Sequence, residues 1–145
     1  MTDTAILRHA ETDADVLACF DVMQQLRPHL QSPGDFLARV STQRAQGYCL
    51  LAVWEGGKPV ALAGYRRVDN LIHGRFIYVD DLVTDEAGRG RGHGERLLAE
   101  LGTLGRAENR ERMVLDTGLA NALAQRFYFR CGLLARGLHF SMDLS

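Results

Sequence analysis

Apolar residues recur along this chain with two different periods, and the period changes twice. Residues 5–10, AILRHA, form a short apolar run that reads as a strand. From Thr12 the spacing turns helical. Val16, Leu17, Phe20, Met23 and Leu26 make a stripe, with Asp13 and Asp15 in the first turn, where acids suit a helix N-terminus; one helix is expected through about Leu26. SPGDFLARVSTQ predicts a second helix, with Ser32 as cap, Pro33 at the first helical position and Asp35 three after the cap, a capping box with Asp in place of Glu. YCLLAVWEGGKPVALAGYR then reads as an antiparallel hairpin around Gly-Gly, NLIHGR as a further turn and FIYVDDLV as a third strand. Helical spacing returns with Leu97, Leu98, Leu101 and Leu104, predicting a helix from about Gly94 to Arg106. RMVLDT is a short strand, and NALAQRFYFRCG a helix ending at Gly132. Leu138, Phe140, Met142 and Leu144 alternate as in a final strand.

The predicted order is β-α-α-β-β-β-α-β-α-β. A meander leads into a βαβ crossover, so FIYVDDLV and RMVLDT should be parallel neighbours. With 145 residues and no repeat, low-complexity stretch or linker, the chain reads as one domain, 1–145.

Composition narrows the class. Hydrophobic residues make up 46%, which excludes a disordered chain, and a formal net charge of −1 gives a nucleic-acid partner no support. A single lysine, Lys58, stands beside sixteen arginines, a bias read as a high-GC, bacterial genome. Cys19, Cys49 and Cys131 are odd in number and form no CxxC, which points to a reduced, cytoplasmic compartment. No signal core and no run of about 18 apolar residues is present, so no membrane role is expected. His9, His29, His73, His93 and His139 show no metal-ligand spacing, so no metal is expected.

The chemistry concentrates in VDDLVTDEAGRGRGHGERLL, residues 79–98. Alternating glycines that open a helix let successive N–H groups converge on an anion, and the helix dipole adds about half a positive charge there. Arg89 and Arg91 add formal charge; the plainer reading is a surface turn with arginines in water. A P-loop needs GxxxxGK[ST], and this stretch has no lysine. A dinucleotide fingerprint needs GxGxxG directly after a strand, whereas Glu95 follows Gly90, Gly92 and Gly94, and TDEAGR separates strand from glycines. A nucleotide-dependent oxidoreductase is thereby the remote alternative.

RGRGHG fits [RQ]-x-x-G-x-[GA], and with DDLVTDEAG before it and ERLL after it the stretch resembles the acetyl-coenzyme A signature of the GNAT acetyltransferase superfamily. ILRHAETDADV is similar to that family's opening strand and helix, and NALAQRFYFRCGL to its late N…A…FY…GF segment. Leu133 replaces the usual aromatic after the glycine, and His93 stands where an aliphatic is frequent; the His93 ring faces solvent or core and is given no role of its own. The resemblance implies an α/β fold of GNAT type, with a mostly antiparallel mixed sheet, a splayed parallel strand pair and flanking helices. It further implies acetyl transfer from acetyl-CoA to an amine by direct attack in a ternary complex. A non-catalytic acyl-CoA-binding or regulatory module of the same fold is the alternative. The acceptor is a small-molecule or a protein or peptide amine, and a homodimer is left open.

Residue by residue, the resemblance implies that backbone groups near Leu82 and Val83 pair with the thioester and pantetheine arm. The N–H groups from Arg89 through Gly90, Arg91, Gly92, His93 and Gly94 to Glu95 would hold the pyrophosphate. Asn121 matches a position that bonds the arm; it also reads as a helix N-cap, and both can hold. Tyr128 matches the family's general acid, and the chemistry agrees. A thiol titrates near about 8.5 and a tyrosine near about 10, so the hydroxyl can share its proton with a leaving thiolate. Tyr128 could otherwise be a core aromatic, but Phe127, Tyr128 and Phe129 lie about 100° apart on a helix and cannot all face one core. Cys131 reads as a buried small residue. Asp80 and Asp81 precede Leu82, and carboxylates are seldom buried unpaired. On a regular strand they point to opposite faces, one to the acceptor and the other to an arginine. Asp81 is favoured for the site because Asp80 shares its face with Phe76, Tyr78 and Leu82; a bulge would reverse this.

Overall fold

The computed structural model describes residues 4–145. Strand β1 (Ile6–His9) leads to helices α1 (Asp13–Ala18), α2 (Phe20–Leu26) and α3 (Pro33–Arg44). Thr12 caps α1, its hydroxyl accepting from Asp15 N–H at 3.1 Å. The single helix expected from Thr12 to Leu26 is broken at Cys19, whose N–H donates to the Val16 carbonyl, a tight i→i−3 turn. That turn re-phases α2, so that Val22 is buried beside Phe20 and Met23 while Leu17, expected in the stripe, is 38% exposed. Ser32 caps α3 by accepting from Asp35 N–H at 3.0 Å, and Asp35 in return accepts from Gln31 N–H, one residue earlier than in the usual box.

Strands β2 (Cys49–Glu55), β3 (Lys58–Asn70) and β4 (Gly74–Thr84) form the meander. Gly56 and Gly57, both at positive φ, make the two-residue turn whose twist matches the flanking strands. β2 lies between β1 and β3 and is buried over Leu50–Trp54, its side chains packing with Val16, Phe20, Phe36 and Val40 in the core. Between β3 and β4 the register slips: Gly64 opposes Asp81 but Tyr65 opposes Val79, which leaves Asp80 as the extra residue of a bulge.

A 3₁₀ turn (Glu86–Gly88) and the glycine loop lead into α4 (His93–Ala107), which buries Leu97, Leu98, Leu101 and Gly105. Gly105 brings the helix against β4, since a Cβ there would touch Ile77. β5 (Arg112–Leu115) completes the order β1-β2-β3-β4-β5 and is parallel to β4. The sheet is mixed, antiparallel except for that pair, and flanked by helices. No helix among the described residues is long and apolar enough to cross a membrane.

The chain divides into two compact units, the first ending at Val114 and the second spanning Leu115–Ser145. The second holds α5 (Ala122–Arg130), closed by Gly132 at φ 93°. The final strand expected over 138–144 is not formed. Alternation marks a face but supplies no partner for the backbone, and Leu138, Phe140, Met142 and Leu144 are 66–91% exposed.

Candidate functional site

The loop after β4 is anchored before it opens. Asp85 N–H donates to the Val60 carbonyl, and Gln25 of α2 clasps the next turn twice, donating to Asp85 (2.8 Å) and accepting from Glu86 N–H (2.9 Å). Beyond that clasp, Gly90 (φ 83°) and Gly92 (φ 80°) are left-handed, a conformation side chains rarely tolerate. A Cβ at either would meet nothing within 4 Å, so the glycines serve the backbone path and the space around them is open. Gly92 is the N-cap of α4 and supplies no side-chain bond. No side chain therefore caps the N–H groups of His93, Gly94 and Glu95 at the start of this 15-residue helix, a cradle suited to an anion.

The charged residues of the loop divide. Arg89 is exposed. Arg91 instead reaches Glu55, the last residue of β2, at 2.6 Å. His93 is 6% exposed, which places its ring in the core, and its Nε2 lies 3.1 Å from Glu55 Oε1. Neither of those two buried atoms has a well-formed hydrogen-bond partner among the described residues. Arg91, by hydrogen bond, and then its charge and that of His93 hold the Glu55 carboxyl below the usual range against the cost of burial.

Asp80 and Asp81 line one cavity of about 350 Å³, together with Met23, Arg27, Phe36 and Tyr48. The bulge at Asp80 removes the strict alternation that sends neighbours to opposite faces, so the expected division between the two acids is not what the geometry shows. Each is paired. Asp80 takes a two-bonded grip from Arg66 (2.9 and 2.8 Å). Asp81 accepts from Arg27 Nε (2.9 Å) and from the Tyr48 hydroxyl (2.8 Å), while Arg27 Nη2 also donates to the Asp80 carbonyl. Burial first, and then the Asp81 charge, push the Tyr48 hydroxyl well above the ordinary tyrosine range, so it remains a donor. Tyr48 reaches Asp81 by lying across Gly64, where any Cβ would overlap its hydroxyl.

Leu82 and Val83 continue β4 opposite Ala63 and Leu62. Glu111 N–H donates to the Arg75 carbonyl near the start of β4; β5 ends four residues later, whereas β4 continues to Thr84. Leu82 and Val83 thus lie in the half of β4 that extends beyond its short parallel neighbour.

In the second unit, Asn121 is the N-cap of α5, accepting from Ala124 N–H at 3.1 Å, and its side-chain NH₂ has no hydrogen-bond partner among the described residues. Tyr128 is half-buried, its ring edge-on to Phe127 at 5.4 Å, while Phe129 is 54% exposed. Burial, and secondarily Cys131, raise the Tyr128 hydroxyl above its ordinary value. Cys131, expected to be buried, is half-buried. No metal-holding group of His, Cys, Asp and Glu occurs among the described residues.

Residues 12–133 match the acetyltransferase (GNAT) family. No curated protein matches the chain in sequence. Among solved structures, a putative acetyltransferase from Agrobacterium tumefaciens str. C58 is 27% identical, with a TM-score of 0.82 over 95% of this chain and 99% of that one. Aminoglycoside N-acetyltransferase AAC(6')-Iy, solved in complex with CoA, is similar in fold at 16% identity, with a TM-score of 0.84 over 100% and 98%. Glucosamine-6-phosphate N-acetyltransferase from Arabidopsis thaliana is similar in fold at 20% identity, with a TM-score of 0.77 over 99% and 100%.

Proposed function

The chain belongs to the acetyltransferase (GNAT) family, and from that premise we propose that it transfers the acetyl group of acetyl-CoA to a primary amine by direct attack in a ternary complex. The observation that carries this reading is the uncapped start of α4, reached through two left-handed glycines with open space around them. A pyrophosphate finds there a ring of N–H donors, the positive helix end and the exposed Arg89. The solved neighbour with CoA bound shares the fold, which supports the same cosubstrate.

Acetyl-CoA supplies an activated acyl carbon: the amine forms the new C–N bond as the C–S bond breaks, the nitrogen loses a proton and the thiolate gains one. The chain's own part begins with Leu82 and Val83, whose backbone lies beyond the end of β5 and offers strand-like pairing to the arm. Asn121 offers its unused NH₂ to the same arm. Tyr128 is the proton donor. Its raised pKa keeps the hydroxyl protonated at neutral pH, ready to bond the departing sulfur. An alkyl amine has a pKa near about 10.4 and arrives charged, so it must be deprotonated. Asp81 and Asp80 line the cavity that would receive it; their arginine and tyrosine partners keep both as fixed acceptors that can hold the ammonium or relay its proton through water.

An acetyl-CoA-dependent thiol-release screen over an amine library tests the proposal. Release that requires an amine supports transfer. Coenzyme A binding with no release for any amine would make the chain a binding module, and no binding would refute the site.

A further inference from the structure

We propose that Glu55, distant in sequence from the glycine loop, is the positioning residue that sets the loop's shape, and that Arg91 is its tether and not a phosphate ligand. This inference rests on the loop's assignment to the coenzyme A pyrophosphate. Glu55 touches the residues on both sides of the N-cap glycine: it bonds Arg91 at 2.6 Å and its other oxygen lies 3.1 Å from His93 Nε2, with Gly92 between them. The Gly92 carbonyl accepts from Arg96 N–H at 3.0 Å, which starts the helix and leaves the loop before it to be held by other contacts. Gly92 has no side chain, makes no side-chain cap bond, and nothing lies within 4 Å of where its Cβ would be. Gly90 and Gly92 are both left-handed, and glycine loses more conformational freedom on ordering than any other residue. An anion cradle works only when its N–H groups already converge, since ordering them on binding subtracts from affinity.

Glu55 is placed for this task. It ends β2, an inner strand of the sheet, and pairs with Lys58 across the Gly56-Gly57 turn, so its backbone is held by the hairpin. Its side chain is 16% exposed, whereas that of Arg91 is 55% exposed, so the more buried partner anchors the more exposed one. The carboxylate also neutralises Arg91, while Arg89 stays exposed in the loop. An acid beside an anion site would otherwise only repel the ligand. Its presence is accounted for if the loop geometry it secures outweighs the repulsion.

The two roles of Arg91 predict opposite signs. If Arg91 is a tether, Glu55→Gln removes the charge that holds it, the loop loosens and coenzyme A binds about fivefold more weakly, the size of a charge-assisted bond discounted for the exposed arginine. Arg91→Gln costs the same, and the double variant is no weaker than either single one, because both remove one contact. If Arg91 is a phosphate ligand competing with Glu55, Glu55→Gln frees it and binding tightens.

The test is calorimetry of coenzyme A with the wild type, Glu55→Gln, Arg91→Gln and the double variant, with pantetheine measured by competition. Pantetheine lacks the pyrophosphate, so its affinity should stay within twofold in every variant, which a general loss of structure would not allow. Glu55→Asp, which keeps the charge and shortens the reach, should recover part of the affinity. Tighter coenzyme A binding in Glu55→Gln, losses that multiply in the double variant, or an equal loss for pantetheine overturns the proposal while the loop assignment stands. A wild type that binds no coenzyme A overturns both.

Discussion

Replacing Gly64 by alanine should destabilise the protein more than any other single added methyl group in the sheet. Gly64 has no need of glycine's backbone freedom; it is a glycine because the Tyr48 ring lies on it. The added Cβ would overlap the hydroxyl and adjoining ring carbons of Tyr48. Tyr48 cannot swing aside freely, being 5% exposed and packed within the core beside Phe36, Val40 and Leu50. Overpacking a closed site costs about 1–3 kcal/mol. Displacing the ring also breaks the bond from the Tyr48 hydroxyl to Asp81, a part-buried bond to a charged group worth about 1.5–3 kcal/mol. Together Gly64→Ala should cost roughly 3–5 kcal/mol, a large part of a typical 5–15 kcal/mol stability. Tyr48→Phe keeps the ring, loses only the hydroxyl, and should cost about 2 kcal/mol. The hydrogen bond is already lost in Gly64→Ala, so Tyr48→Phe should add little on that background, giving a coupling of about 2 kcal/mol in the double-mutant cycle. Urea denaturation of the four proteins, with unchanged m-values, is the assay. A Gly64→Ala variant within about 0.5 kcal/mol of wild type, or two losses that simply add, would refute the reasoning.

Four further outcomes are expected. Gly92→Asp should abolish coenzyme A binding by calorimetry while thermal melts still show a folded protein, since the new side chain meets open space but strains a left-handed residue and adds negative charge to the cradle; Gly94→Asp should act alike, and unchanged affinity in both would remove the loop assignment. Tyr128→Phe should lower turnover by about 10²-fold or more with coenzyme A affinity nearly intact, whereas equal losses in rate and binding would mark a packing residue. Asp81→Asn should raise the KM of a cationic acceptor without changing coenzyme A affinity, and Asp80→Asn, which weakens the grip of Arg66, should mainly lower the melting temperature; wild-type kinetics in both would place the deprotonating group elsewhere. Arg67 and then Arg110 hold the Glu108 carboxyl down at about 2, so its contribution is present above the unfolded value and lost as pH falls through about 4.5 towards 2; Glu108→Gln should flatten stability against pH in that window, and a parallel acid limb would refute the linkage.

What the sequence disclosed depended on whether the cause was local. The Thr12 and Ser32 caps, the Gly-Gly turn and the leucine stripe of α4 are set by residues within a few positions of one another, and each was legible. The parallel pair followed from the crossover rule. The break at Cys19 was hidden because Val16, Phe20 and Met23 satisfy one stripe whether or not the helix tightens there; only the burial of Val22 reveals the re-phasing. The strand expected at 138–144 shows the opposite failure. Alternation records which side chains want cover, and it is silent on whether a neighbouring backbone is present to pair with.

The candidate site divides along the same line. The backbone path of the glycine loop was legible because its left-handed turns fall on glycines within six adjacent residues. The residues that shape it were not: Gln25 lies 61 positions from Glu86, and Glu55 36 positions from Arg91. Asp80 and Asp81 lie between these cases. That buried acids need partners could be argued from composition alone, and arginine was the expected partner. Which face each acid takes could not, because one extra residue in a strand decides it, and that residue is recognisable only from the opposite strand. Gly64 is where the two kinds of information meet. On its own strand it is one glycine in ALAGYR; set opposite the bulge, it is the opening through which Tyr48 reaches Asp81. The acid's orientation therefore depends on an absent side chain on β3 and a hydroxyl from the residue just before β2. Any acceptor entering the cavity meets Asp81 only as that pair presents it.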